Sequence, residues 1–316
     1  IQPHAGGKRK IVLSTDIAET SLTIEGVKVV VDSGYAKSNR FDPRSGLSKL
    51  VLHRISADSA DQRSGRAGRL TAGTAYRLWS IATQNQLQEF RTPELMEADL
   101  TGLVLDMKVW GKDEIRDMTW LTPPPAGNLS LAEKTLESLE ALDHGQLTSH
   151  GKEIHQLPCH PRIAHLLLYA KKQNLLGFGT DIAAVLEERD PLGPEAGVDL
   201  NLRIEALRRF RSRGHSIPRI KKIEKVAAQY RRMFQVEAEN GAVDPWQTGI
   251  LLAFAYPERI ASARPGNNAQ FQLANGKIAQ IGHRDGLAHE SWIAVADIDA
   301  REGMGKIWLA APLNPR

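Results

Sequence analysis

The sequence predicts a multidomain protein that runs from an α/β segment through mainly helical segments to a mainly β segment. Its length of 316 residues exceeds that of a typical protein with a single core. Up to about residue 85, short strand-like runs alternate with short helical ones, which is typical of α/β organisation. From residue 93 the apolar spacing becomes helical, and beyond about residue 257 strand-like runs replace it.

The composition is that of an ordinary globular protein. Hydrophobic residues make up 41% of the chain and charged residues 25%, and the longest apolar runs fall far short of the ~20 residues that span a bilayer. The single cysteine, Cys159, cannot form an internal disulfide and excludes a zinc site built on cysteine pairs. We therefore expect a cytoplasmic protein that does not enter a membrane. Because the first residue is Ile1 rather than Met, we also expect a piece of a longer protein.

Short β-branched or alternating runs predict the strands of the α/β segment. They are residues 10–14, 27–33, 35–40, 48–53 and 73–79. We expect the first two to be buried in a parallel sheet. The next two flank an Asp-Pro-Arg-Ser-Gly turn and predict a β-hairpin. Ser56 predicts the N-cap of a helix that begins at Ala57.

The order of elements changes after residue 90. Residues 93–110 and 131–142 predict helices, and residues 146–154 predict a short hairpin. This order is typical of a winged-helix module, with a small helical packing domain as the alternative. Residues 161–240 predict a bundle of helices, followed by one helix that ends near Pro257.

The last segment predicts a small β module. Its predicted strands are residues 269–274, 277–281, 291–298 and 306–311. Asn275-Gly276 predicts a tight hairpin turn between the first two. We expect the last strands of this module to lie beyond residue 316.

Positive charge is concentrated in residues 203–232, which contain eleven Lys or Arg residues and two acids. A net charge of +9 in this segment contrasts with +4 for the whole chain. Such density indicates a polyanionic partner, whereas a solvated helical face is the alternative.

Residues 62–69, Gln-Arg-Ser-Gly-Arg-Ala-Gly-Arg, carry three arginines spaced by three. On a helix this spacing stacks Arg63, Arg66 and Arg69 along one face, where they repel each other without an anionic ligand. Two glycines in the same turns each cost roughly 1 kcal/mol of helix stability and suggest a ligand close to the backbone. The segment indicates a polyphosphate site, with an arginine-rich surface helix as the alternative.

Residues 14–26 lie between two predicted strands and are rich in hydroxyl groups. In open α/β sheets, ligands bind beyond the carboxyl ends of the strands. Hydroxyl and backbone N–H groups there suit phosphate contacts. Alone, this loop is weak evidence, because loops rich in Ser and Thr are common.

Together the two segments resemble motifs V and VI of superfamily 2 helicases of the DEAH/RHA class. TDIAETSLTI, VVVDSG, a hairpin and QRSGRAGR follow one another in that family's order and spacing. The segments after residue 90 resemble the family's C-terminal module. LAFAYPERIA before a β module is most similar to the bacterial HrpB-type ATP-dependent helicases.

The resemblance implies a fold for each segment. Residues 1–88 would form part of a second RecA-like domain built on a parallel sheet, with a β-hairpin at residues 35–53. Residues 89–158 would form a winged helix, and residues 159–243 a helical ratchet bundle. Residues 244–316 would form a small β-barrel-like module similar to an OB-fold.

The resemblance also implies an ATP site between two RecA-like domains. Gln62 would place the attacking water or contact the γ-phosphate, and Arg66 and Arg69 would be arginine fingers. Arg63 falls at a position where a structural ion pair is expected. Ser21 would relay γ-phosphate occupancy, while Thr23 would approach the nucleotide and Glu25 the ribose.

Neither a GxxxxGK[S/T] phosphate loop nor an Asp-Glu-Ala-His motif occurs in the sequence. The family carries both on the upstream RecA-like domain. The resemblance therefore places the phosphate cradle and the Mg²⁺ ligands there, with no metal ligand in this chain. We expect the chain alone not to hydrolyse ATP.

The implied partner is a single-stranded nucleic acid, which we expect to be RNA. Thr15 would touch its backbone, and the hairpin would guide it with Arg40 and Arg44. On charge alone, we expect further phosphate contacts from the basic segment. These candidates are Arg208, Arg209, Arg211, Arg213, Lys221 and Lys222.

Two other functions stay open at this point. One is a scaffold that binds nucleic acid without enzymatic activity and is built on a degenerate motor. The other is a winged-helix DNA-binding regulator, which leaves residues 10–70 unexplained. The set of Gln62, Arg66 and Arg69 favours the helicase, because a pure binding module needs no arginines directed at a γ-phosphate.

Overall fold

The computed structural model describes residues 10–20, 26–42, 47–69, 71–112, 114–214, 218–299 and 304–314. Close contacts divide the chain into two compact units. The first covers residues 1–42 and 48–98, and the second covers residues 43–47 and 99–316. The first is α/β, whereas the second combines helices with a closed β-barrel. No helix within the described ranges has the length and apolar character needed to cross a membrane.

Short strands and helices alternate in the first unit, as predicted. In chain order they are α1 (Ile17–Thr20), β1 (Val29–Asp32), β2 (Tyr35–Asp42), β3 (Leu47–Arg54), α2 (Ala57–Ser64), β4 (Thr74–Arg77) and α3 (Ile81–Gln84). β1 and β4 are parallel, with Val29 opposite Thr74 and Asp32 opposite Arg77. β2 pairs with β3. The parallel pairing and the hairpin are thus confirmed.

Two expectations for this unit are wrong. Residues 10–14 form no strand, and Ile11 and Leu13 are exposed, because no described strand of the unit receives their backbone hydrogen bonds. In β1, Val29 and Val31 are also exposed rather than buried. Successive side chains of a strand alternate between its faces, and Asp32 faces Arg63 of α2. The two valines therefore lie on the opposite face of the sheet.

The second unit begins with a helical region. Its elements are α4 (Thr101–Val109), α5 (Ala126–Ser138), β5 (Leu142–Asp143), β6 (Gln146–Leu147), α6 (Ser149–His155), α7 (Pro161–Lys172), α8 (Leu176–Glu187), α9 (Leu200–Arg213), α10 (Pro218–Phe234) and α11 (Pro245–Ala255). The predicted order of helix, helix and hairpin is present, but the hairpin lies at residues 142–147. Residues 149–155 are helical, because the Thr148 hydroxyl caps α6 by accepting the Gly151 N–H at 2.9 Å.

The chain continues into a closed barrel. Its strands are β7 (Ile260–Arg264), β8 (Asn267–Leu273), β9 (Ile278–Gln280), β10 (Trp292–Asp299) and β11 (Gly305–Pro312). The sequence pattern missed β7, which pairs with both β8 and β10 and closes the barrel. The predicted hairpin turn joins β8 to β9, with Gly276 at a φ of 83°. The described strands thus close on themselves, whereas we expected further strands beyond residue 316.

The helices from α7 to α11 share one hydrophobic core. Phe178 and Ile182 of α8 pack there with Leu166 of α7, and all three are buried. Barrel side chains also belong to this core, and they are Ala294, Ala296, Leu309 and Ala311. A second core fills the barrel interior around Phe271. The helical bundle and the barrel are therefore packed as one body.

A pair of histidines joins α6 to α7. The His150 Nε2 atom lies 2.8 Å from His165 Nδ1, so one ring donates a hydrogen bond to the other. His165 is buried, and burial, with the neighbouring His150 and Lys172, lowers its pKa to about 4. Both rings therefore contribute to the packing of α6 against α7.

We predict that replacing Gly249 of α11 with alanine destabilises the second unit. An added Cβ would lie 1.9 Å from the Pro312 carbonyl oxygen, so helix and strand would have to separate. Overpacking of this kind costs about 1 to 3 kcal/mol. Gly102 of α4 is the matched control, because a Cβ there meets nothing within 4 Å. Gly102→Ala should raise the free energy of unfolding by roughly 0.5 to 1 kcal/mol. Equal effects of the two substitutions in urea unfolding would contradict the contact.

We predict that His165 makes the fold sensitive to mild acid. Its pKa is lowered in the folded state, so the unfolded state binds the proton first as the pH falls. The stabilisation is complete above a pH of about 6.5 and is lost progressively towards a pH of about 4. His165→Gln should flatten the dependence of the unfolding midpoint on pH in this window. His144→Gln, at a side chain that is 98% exposed, should leave it unchanged.

Candidate functional site

The candidate site is built from two segments of the first unit. The first, residues 14–20, ends in α1. Thr15 precedes α1 and is exposed, whereas Glu19 lies within it and is buried. The second begins in α2, whose N-cap is Ser56 as predicted, although the Ser56 hydroxyl donates to Ser59 Oγ and accepts no hydrogen bond from the helix backbone. α1 and α2 are in contact, so the buried Glu19 lies against the helix that carries Arg63.

The three arginines do not share a helical face, which corrects the expectation from their spacing. α2 ends at Ser64, and residues 65–68 form tight turns in which Arg66 N–H donates to the Arg63 carbonyl oxygen at 3.1 Å. Asp58 and Asp61 lie within α2, and two glycines follow it. Glycine disfavours helix continuation, so the helix ends before Arg66 is reached. Each arginine consequently takes its own direction.

Arg63 holds the two segments together through an ion-pair cluster. Its guanidinium lies 3.1 Å from Glu19 Oε2 and 2.9 Å from Asp32 Oδ1. It also donates to the Tyr35 carbonyl oxygen at 3.2 Å. Both carboxylates are almost completely buried, so each needs a cationic partner. The structural ion pair predicted for Arg63 is present.

Arg66 also contacts Glu19, and its contact is at the backbone carbonyl group. Its guanidinium donates to the backbone carbonyl oxygen of Glu19, from Nε at 2.9 Å and from a terminal nitrogen. The Glu19 side chain also pairs with Arg91. Glu19 is therefore the common anchor of Arg63, Arg66 and Arg91.

The other two predicted catalytic residues lie at the surface. Gln62, in α2, and Arg69, after the turns, are both exposed. With Arg66 they place one carboxamide and two guanidiniums on a stretch of eight residues. Guanidiniums bind phosphate oxygens bidentately and stay charged, so this donor set suits a polyphosphate.

The glycines of this segment are not required by close contacts within the unit. A Cβ at Gly65 would be at an ordinary 3.4 Å from the Asp61 carbonyl oxygen, and one at Gly68 would meet nothing within 4 Å. The close approach is at Gly73, where a Cβ would lie 2.0 Å from the Ala67 carbonyl oxygen. Gly73 thus fixes how the chain leaves the arginine turns and enters β4.

Several predicted residues lie outside the described part of the chain. They are Ser21, Thr23, Glu25 and Arg44. On the hairpin, Arg40 is described, and its guanidinium pairs with Glu97 at 2.9 Å while 39% of its side chain stays exposed. The predicted nucleotide contacts of the first three and the strand contacts of Arg40 and Arg44 stay predictions.

The basic segment divides into buried and exposed cations. Arg208 and Arg211 are buried around the carboxylate of Asp181, which has no exposed surface. Arg211 donates to Asp181 Oδ2 at 2.9 Å and to Glu224 at 2.6 Å. Arg231 lies 3.5 Å from the same Asp181. Burial alone would lower the pKa of Arg211, but its bonds to Asp181 and Glu224 outweigh this and raise it.

This division differs from what charge density indicated. Asp181 lies outside the basic segment in sequence, in an otherwise apolar stretch of α8, and it neutralises part of that segment. The remaining candidates are exposed, and they are Arg209, Arg213, Lys221 and Lys222. Arg209 pairs with Glu205 at 3.6 Å and Lys222 with Glu188 at 2.8 Å, both at the surface. Exposed cations of this kind can exchange such partners for phosphate, because surface pairs contribute little.

Sequence reasoning missed Glu19, Asp32 and Asp181, the acids that organise both arginine clusters. A usable signal existed for Asp181, since a carboxylate inside an apolar helix must be paired when it is buried. Within the described residues, no group of three or more His, Cys, Asp or Glu side chains could hold a metal ion.

A family model and known proteins both match this chain. Residues 1–71 match the family model of the helicase conserved C-terminal domain. The chain is 35% identical over 294 residues to the ATP-dependent RNA helicase HrpB of Escherichia coli (strain K12), which covers 93% of this chain and 34% of the relative. It is 38% identical over 169 residues to the pre-mRNA-splicing factor ATP-dependent RNA helicase prp22 of Schizosaccharomyces pombe. That match covers 53% of this chain and 14% of the splicing factor.

Solved structures agree with the sequence matches. A crystal structure of the E. coli DExH-box NTPase HrpB superposes with a TM-score of 0.81 at 34% identity, and it covers 99% of this chain and 37% of the HrpB chain. A second, of the Escherichia coli DEAH/RHA helicase HrpB, gives a TM-score of 0.82 at 32% identity over 99% of this chain and 38% of that one.

By sequence and by fold, the chain corresponds to the C-terminal part of a DEAH/RHA-type superfamily 2 helicase. It spans about a third of the length of the HrpB protein that it matches. The helicase structures match 99% of this chain, including the arginine segment, the hairpin and the barrel. A winged-helix regulator would leave the first unit unexplained.

We predict that Glu19→Gln, in the full-length protein, loosens the arginine turns. The substitution removes the buried charge that pairs with Arg63, and breaking such a pair costs about 3 kcal/mol. Residues 57–69 should then exchange amide hydrogens faster with deuterium. Glu89→Gln is the control, because Glu89 is exposed in the same unit. Unchanged exchange in the Glu19 variant would show that the turns do not depend on this anchor.

Proposed function

We propose that this chain is the C-terminal half of an ATP-dependent RNA helicase. In this proposal it supplies arginine fingers to an ATP site that it shares with an upstream RecA-like domain. The observation that carries the proposal is the double contact of Glu19 with Arg63 and Arg66. It links the two helicase motifs and leaves Gln62 and Arg69 exposed beside them.

We assign four functional regions on the same basis. Residues 1–88 act as part of the second RecA-like domain, with the hairpin at residues 35–53, and residues 89–158 as a winged helix. Residues 159–243 act as the ratchet bundle, and residues 244–316 as an OB-like module. The last assignment rests on the closed barrel of β7 to β11.

The nucleotide site uses a small set of donors from this chain. When bound, ATP supplies the phosphoanhydride bond whose hydrolysis drives the motor. Arg66 and Arg69 stabilise negative charge that develops at the γ-phosphate, which is worth roughly 10³ to 10⁵ in rate for an arginine finger. Gln62 orients the attacking water, while Ser21, Thr23 and Glu25 face the nucleotide. Mg²⁺ is held by ligands of the upstream domain.

In the same proposal, each unit contributes its own contacts to the nucleic-acid strand. Thr15 and the hairpin arginines Arg40 and Arg44 contact the backbone of a single-stranded RNA. The exposed cations Arg209, Arg213, Lys221 and Lys222 add phosphate contacts, which makes binding weaken as salt rises. Arg208 and Arg211 keep the bundle in shape rather than touching RNA, because they are buried with Asp181. We place this motor in the cytoplasm.

The test is RNA-stimulated ATP hydrolysis by the full-length protein, beside the 316-residue chain alone. We expect hydrolysis by the full-length protein only, with RNA stimulating more than DNA at one salt concentration. Arg66→Ala should lower the stimulated rate at least ~10³-fold while RNA binding persists. Arg116→Ala, at an exposed arginine outside the motif, should behave as wild type.

Two results would contradict the proposal. ATP hydrolysis that survives Arg66→Ala would contradict the assignment of Arg66 as an arginine finger. A full-length protein that binds RNA but hydrolyses no ATP would favour the non-enzymatic scaffold.

A further inference from the structure

A surface groove of the second unit lies where α11, the start of β10 and the end of β11 meet. Its volume is about 410 Å³, and two tryptophans, Trp246 and Trp292, line it. The other lining residues are His289, Glu290, Ser291, Leu313 and Asn314. The indole side chains remain 40% and 38% exposed. Neither residue belongs to the proposed nucleotide site or to the basic segment.

Backbone hydrogen bonds order the walls of the groove. The Trp246 N–H donates to Asp244 Oδ1 at 3.0 Å, which caps α11. The Leu313 N–H donates to the Trp292 carbonyl oxygen at 3.0 Å, and the Ser291 carbonyl oxygen accepts the Ala263 N–H at 2.9 Å. The groove is therefore largely formed before a ligand arrives, which lowers the entropy cost of binding.

The charge of the groove selects among possible ligands. Glu290 is half-buried, and its carboxylate makes no ion pair or hydrogen bond with any described residue. The described lining contains His289 but no lysine or arginine. A phosphate backbone would thus meet a carboxylate and a single imidazole, so a nucleic-acid strand is disfavoured relative to a cation. A cation would meet the Glu290 carboxylate and two indole side chains, which attract cations.

We propose that this groove binds an arginine side chain of a partner protein, presented on an extended segment. A guanidinium is planar, stacks on indole and pairs with a carboxylate through two parallel hydrogen bonds. Trp246 and Trp292 contact its face, and Glu290 pairs with its edge. The site is independent of the proposed helicase activity, since none of these residues takes part in it.

The experiment measures binding of a short labelled peptide to the full-length protein by fluorescence anisotropy. The probe is an acetylated, amidated Gly-Gly-Arg-Gly-Gly-Arg-Gly-Gly peptide. Its matched control replaces each arginine with citrulline, which keeps the shape and removes the charge.

We expect the arginine peptide to bind more tightly than the citrulline peptide. Glu290→Gln, which keeps the side-chain volume, and Trp246→Ala should each weaken binding about two- to fivefold, as for one exposed cation–π contact or ion pair. Trp110→Ala, at an indole that is 69% exposed and outside the groove, should leave binding unchanged.

Equal binding of the two peptides, or no effect of Glu290→Gln, would overturn the proposal. A parallel titration with oligouridylate tests the alternative occupant. If Trp246→Ala weakens oligouridylate binding while the arginine peptide does not bind at all, the groove stacks nucleobases instead.

Discussion

A buried carboxylate surrounded by several arginines is the interaction on which each unit depends. In the first unit Glu19 binds Arg63 and Arg91, and in the second Asp181 binds Arg208, Arg211 and Arg231. An ionised carboxylate is costly to bury alone, and loss of one partner leaves that cost uncompensated. Each cluster therefore holds distant segments of sequence in one arrangement, because only that arrangement satisfies the buried charge.

At the candidate site this constraint divides three similar residues into separate tasks. Arg63 has a structural role, since it forms ion pairs with both Glu19 and Asp32. Arg66 is held through the Glu19 backbone carbonyl oxygen, which positions its guanidinium. Arg69 and Gln62 remain at the surface.

Local patterns predicted most of the elements, because β-branched runs, the Asn-Gly turn and the helical spacing act within a few residues. These patterns failed where contacts between residues that are distant in sequence determine the local structure. Residues 10–14 have strand composition but no described pairing strand, and residues 149–155 follow a hairpin yet are helical because Thr148 caps them. Motif spacing identified the arginine segment, whereas Glu19 and Asp181 were missed, since their roles depend on contacts across 44 and 30 residues of sequence.

The contact between α11 and the barrel has a consequence for how this part of the protein can be divided. The family resemblance implies a boundary near residue 244, yet Ala294, Ala296, Leu309 and Ala311 of the barrel complete the helical core. Gly249 lies directly against the last strand. Because bundle and barrel share buried side chains, we expect them to unfold together, and a cut near residue 244 would expose apolar surface on both.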